Sequence, residues 1–141
     1  MTFAFVIAVH NTAMTTLVAQ VNWKRVLLGG FLAELLVFAI VFPVLYLFGQ
    51  QAFLASILIA SALMPFLLAM WVGRRLDSLF VVHGALVGVV AVAIYVIIAW
   101  GQPEPLLYTI AHGLKVVGGM AGGAVAARRK PSSAVQRPST V

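Results

Sequence analysis

The chain has 141 residues, of which 63% are hydrophobic and 9% charged, against about 45–50% apolar and about 25% charged in an ordinary soluble domain. This composition excludes a water-soluble catalytic or binding domain and points to a membrane protein. Nine Lys and Arg against three Asp and Glu give a net charge of +6, an excess that orients membrane segments and implies no nucleic-acid partner. With no Cys in the chain, disulfides, thiolate metal sites and cysteine nucleophiles are excluded.

Residues 1–25 form a cytoplasmic or interfacial segment. Its apolar stretch from Phe3 to Val9 is too short to span a bilayer, and His10, Asn11, Thr12, Thr15, Thr16 and Gln20 interrupt any longer one. At about 100° per residue, Phe3, Val6, Ile7, Met14, Leu17, Val18 and Val21 share one face. Two readings stand: an interfacial helix, or translation that starts at Met14.

Residues 26–127 form the membrane domain. Four apolar stretches, over about 26–49, 52–73, 79–100 and 106–127, each approach the roughly 20 residues that cross about 30 Å of hydrocarbon as a helix. Short connections make sequence neighbours antiparallel, so the fold class is all-α, an up-down four-helix transmembrane bundle. Pro43 and Pro65 lie inside the first two stretches, where kinks are expected. Residues 128–141 form a basic cytoplasmic tail, and from Pro131 its Pro, Ser and Thr content predicts disorder.

Charge sets the orientation. Lys24 and Arg25 precede the first span, Arg74 and Arg75 follow the second, and Arg128, Arg129 and Lys130 follow the fourth. Apart from Lys115, every Lys and Arg falls on one side, which the positive-inside rule makes the cytoplasm: N-in, C-in, multi-pass in the cytoplasmic (inner) membrane of a bacterial-style cell. Trp23 and Trp71 at the inner level, with Tyr46, Trp100 and Tyr108 at the outer, form the aromatic belts.

Ionisable residues inside the spans carry the chemistry, because a charge at the bilayer centre costs from about 2.5 to more than 10 kcal/mol. Glu34, His83, His112 and Lys115 form a candidate intramembrane polar cluster. Glu34 lies about nine residues from Arg25 and His83 about eight from Arg75, which puts both roughly 12–14 Å deep and within reach of each other. Lys115 lies roughly 20 Å in, and the offset of roughly 6 Å from Glu34 has to be bridged by the flexible lysine stem, or by a water or His83 between them. Such a pair is either a device that fixes helix register or part of a polar pathway in which Glu34 exchanges a proton or binds a cation.

Small residues form the second pattern. Gly84 and Gly88, Gly118 and Gly122, and Gly119 and Gly123 are each spaced four apart, which lets helix backbones approach closely. These rows serve packing within the chain, or a homodimer or membrane-protein partner. No carboxylate pair, His metal pair or Ser–base arrangement marks an enzyme, and no cofactor or metal is implied.

Two resemblances rest on these residues. Val21-Asn22-Trp23-Lys24-Arg25-Val26-Leu27-Leu28-Gly29-Gly30, with the Gly-rich last helix ending Ala126-Ala127-Arg128-Arg129-Lys130, resembles uncharacterised small bacterial four-helix membrane proteins, which implies a fold and a location. Gly29-Gly30-Phe31-Leu32-Ala33-Glu34 is similar to the segment around the membrane-embedded Glu of small multidrug resistance transporters. That likeness implies that Glu34 binds proton and cationic substrate in turn. Lys115 has no counterpart in that family's pattern, and its aromatic signature in the third helix is missing here. The expected function is a structural or membrane-complex component, with a proton-coupled small-cation or small-solute transporter as the alternative.

Overall fold

The computed structural model describes residues 19–100 and 102–129. Residues 1–18 of the expected N-terminal segment, Lys130 and the tail beyond it lie outside the described residues. Among the described residues three long helices make up the fold: α1, Trp23–Gly73; α2, Phe80–Ala99; and α3, Leu106–Arg129. All three are long and apolar enough to cross a membrane.

The stretches expected as two separate helices, 26–49 and 52–73, are parts of one 51-residue run. That run is not straight. Gly49 has φ 78° and ψ −174°, a region that is essentially restricted to glycine. Beyond it the chain doubles back, since a Cβ on Gly29 would stand 3.0 Å from Val72 Cγ2, whereas a straight helix would hold those residues about 60 Å apart. α1 is therefore a hairpin of two antiparallel arms, 23–48 and 50–73. The turn expected over Gly49-Gln50-Gln51 contracts to a single glycine because both Gln residues are adequate helix formers. Pro43 and Pro65 stay within helical backbone, and the non-helical residue in the run is Gly49.

The N-terminus of α1 is capped by Asn22, whose Oδ1 accepts from the Arg25 backbone N–H at 3.3 Å. At the far end of the second arm, residues 74–79 turn the chain into α2. Leu76 is buried there, and Leu79 takes left-handed backbone, φ 54° and ψ 34°.

Glycine sets the distances between helices. A Cβ on Gly84 would collide with the carbonyl of Gly119, and one on Gly119 with the carbonyl of Gly84. A Cβ on Gly88 would stand 2.5 Å from the Lys115 carbonyl oxygen. Gly123 meets the Phe80 carbonyl, so the row Gly119–Gly123 faces α2, while Gly118 against Ala62 and Gly122 against Phe66 face the second arm of α1. In lipid, where apolar tails remove the hydrophobic drive for helix association, such close contact supplies dispersion attraction instead.

The exterior has the opposite character. Phe42 is 59% exposed, Leu47 74% and Ile97 65%. An apolar surface of this extent requires a covering, of the kind lipid gives to helices long and apolar enough to cross a membrane. Trp23, Trp71, Tyr46 and Trp100 all stand on this surface, whereas Tyr108, expected in the outer belt, is half-buried against Tyr95 with ring centroids 6.0 Å apart.

Alanine at Gly119 should destabilise the bundle by about 1–3 kcal/mol, the usual cost of overpacking. Alanine at Gly113, where a Cβ meets nothing within 4 Å, should be neutral or gain up to about 1 kcal/mol of helix propensity. Thermal unfolding of the two variants in one detergent checks the contrast, and equal losses would contradict it.

Candidate functional site

The four intramembrane ionisable residues divide between two places. Lys115 Nζ on α3 donates to both carboxylate oxygens of Glu34 on the first arm of α1, at 2.9 Å to Oε1 and 2.7 Å to Oε2. The Lys115 and Glu34 side chains are 3% and 1% exposed. No water or histidine stands between them: the four-carbon lysine stem covers the axial offset, and the glycine crossings draw α3 close. The Tyr95 ring on α2 lies 4.9 Å from the ammonium, adding a cation–π contact to its charge-assisted hydrogen bonds. The first arm of α1, α2 and α3 therefore converge on one nitrogen.

His83 is not part of this group. It is the fourth residue of α2, and its Nε2 accepts from the Asn22 backbone N–H at 3.0 Å. Its Nδ1 lies 2.9 Å from the Leu79 carbonyl oxygen, so the ring is the tautomer that donates from Nδ1 and accepts at Nε2. His83 straps the start of α1 to the start of α2, with both ring nitrogens occupied. The expected meeting with Glu34 fails because residues 76–79 belong to the connecting loop and do not climb into the bundle.

His112 stands one helical turn from Lys115 toward the Gly49 end. Its Nε2 lies 3.1 Å from Glu104 Oε2, and its ring centroid is 4.7 Å from that of Tyr95. The other ring nitrogen, Nδ1, is buried and has no hydrogen-bond partner within the described protein. Ser61 Oγ on the second arm is in the same condition, in a residue that is 0% exposed.

A cavity of about 170 Å³ unites these groups. Glu34, Lys115, Ser61 and His112 line it together with Tyr95 and Tyr108. Phe38, Phe42 and Phe53 make much of its remaining wall, with Val37, Val41 and Ile57. The cavity thus has a largely aromatic and aliphatic wall, a salt-bridged pair, and two polar atoms without partners. Ser61 Oγ and His112 Nδ1 are not bonded to each other, so no nucleophile–base contact is made. Ser61 and Tyr95 are legible in the sequence as polar residues within apolar stretches, but neither carries the charge that marks Glu34 and Lys115.

At the opposite end, Arg25 Nη1 donates to the Arg75 carbonyl, and a second hollow is lined by Asn22, Arg25, Arg75, Asp77 and His83. Gly73 packs against Ala126 at the same end. The sequence-predicted residues Lys24, Arg25, Arg74, Arg75, Arg128 and Arg129 are thereby gathered on one side of the bundle.

Comparison with protein-family models, curated proteins and solved structures gave no match.

Removing one member of the buried pair should be costly, because the other charge stays behind without a partner. Lys115→Met is expected to destabilise the protein by about 3–5 kcal/mol. The loss would appear as a lower unfolding temperature and a smaller folded fraction on size-exclusion chromatography. Unchanged stability would mean that the pair contributes nothing to the fold.

Proposed function

We propose that this is a multi-pass protein of the cytoplasmic (inner) membrane, a non-enzymatic structural or membrane-complex component that crosses the bilayer four times with its basic end in the cytoplasm. Each arm of α1 is one crossing, and α2 and α3 are the other two. The observation that carries this reading is the gathering of basic residues at one end, where Arg25 bonds Arg75 and Gly73 meets Ala126. The connections at the other end contain no Lys or Arg in the sequence, the asymmetry that the positive-inside rule converts into orientation. Lipid is the principal partner in this reading. Gly84, Gly88, Gly118, Gly119, Gly122 and Gly123 are engaged in crossings within the chain, so another membrane protein or a second copy would meet the lipid-facing sides of the helices.

The absence of Cys makes the threading directly testable. A Gln50→Cys variant should react with a membrane-impermeant maleimide in intact cells, and Ser78→Cys only after permeabilisation. Labelling of both from the same side would overturn the four crossings.

A second reading has one observation in its favour: Glu34 lines the cavity, as the coupling residue of a proton-coupled small-cation or small-solute transporter would. Proton release on adding tetraphenylphosphonium, lost in Glu34→Gln, would establish that reading. The structural reading predicts no such release.

A further inference from the structure

We infer that the cavity between α1, α2 and α3 is a binding site for a small, neutral, hydroxyl-bearing aromatic ring, the chemistry of a phenol. Buried polar atoms in folded proteins are almost always hydrogen-bonded. Ser61 Oγ and His112 Nδ1 are both buried and without a partner in the chain. Both residues line the same space, so the shortfall is confined to one site.

The chemistry of those atoms limits the ligand. Nε2 of His112 is committed to Glu104 Oε2 at 3.1 Å, which leaves Nδ1 as the ring nitrogen to meet a ligand. Ser61 Oγ both donates and accepts. A ligand hydroxyl, itself a donor and an acceptor, serves both atoms at once, with Ser61 Oγ as one of its two partners.

Charge narrows the choice further. Glu34 and Lys115 neutralise each other through two short bonds. A cationic ligand would face the Lys115 ammonium already seated over Tyr95, and an anionic one would face the Glu34 carboxylate. The ligand is therefore neutral. Phe38, Phe53, Tyr95 and Tyr108 give the cavity aromatic walls, which favour offset or edge-to-face packing against a ring. Its volume of about 170 Å³ is slightly larger than that of a cavity of about 150 Å³ known to hold benzene. The lining also includes Phe42, which is 59% exposed, so the wall of the cavity reaches the outer surface of the bundle.

Calorimetric titration of the full chain in lipid nanodiscs tests the site. Phenol should bind saturably and one to one, benzene more weakly, and phenyltrimethylammonium and benzoate not at all. Ser61→Ala should weaken phenol about three- to tenfold, the effect of one lost hydrogen bond, with benzene unchanged. Ala111→Phe, which fills the cavity, should abolish both. Because that variant risks misfolding, the differential effect of Ser61→Ala decides the matter alone. Benzene binding as tightly as phenol, phenol binding indifferent to Ser61→Ala, or no saturable binding would each overturn the inference. Phenol and an isoprenoid-tailed benzoquinol form two arms, and the tighter binder assigns the ring to a free solute or to a membrane lipid.

Discussion

Two opposite charges placed deep in an apolar chain have to meet, and the rest of this molecule is arranged around their meeting. Glu34 and Lys115 are both all but fully buried, and an isolated charge in hydrocarbon is among the most costly groups a helix can carry. Their bidentate contact joins the first arm of α1 to α3, while Tyr95 of α2 lies 4.9 Å from the same ammonium. Such a pair is weaker evidence for stability than for register, because desolvation offsets much of the attraction. Its physical role here is selective: sliding or rotating one helix against the others separates the charges and leaves both without compensation.

The pair also divides the bundle into two halves of different packing. On the side of the basic residues, glycine lets backbone meet backbone, with Gly84 against Gly119 and Gly123 against Phe80. Toward Gly49, bulky aromatic residues replace glycine and cannot interdigitate as tightly, which leaves the cavity that Ser61 and His112 share. A dense half anchors the helices and an open half offers chemistry, with Glu34 and Lys115 at the boundary. The transition follows from the distribution of side-chain volume along α3, from His112 and Lys115 into the run Gly118-Gly119-Met120-Ala121-Gly122-Gly123.

Much of this was legible in the sequence because helix periodicity and lipid chemistry are local. The apolar stretches, the basic end and the spacing of the glycines follow from counting residues. What counting could not supply was where helices begin and which way side chains face. Counting from Arg75 puts His83 level with Glu34, yet α2 begins only at Phe80, so His83 instead bonds Asn22 near the start of α1. The same uncertainty hid the sharpness of the reversal at Gly49, since nothing in Gly49-Gln50-Gln51 says that one glycine suffices. Ser61 was overlooked for a different reason: a serine in an apolar helix usually bonds to its own backbone, and only the packed structure reveals that this one does not.

The coupling between Glu34 and Lys115 is the most direct measure of whether the bundle is organised around their contact. It is obtained from the unfolding free energies of the wild type, Glu34→Leu, Lys115→Met and the double variant in one detergent. The account predicts strong non-additivity, with the double variant more stable than either single variant, because the second substitution removes the charge that the first leaves stranded. Losses that simply add would contradict it, and would mean that the two residues act independently in the folded protein.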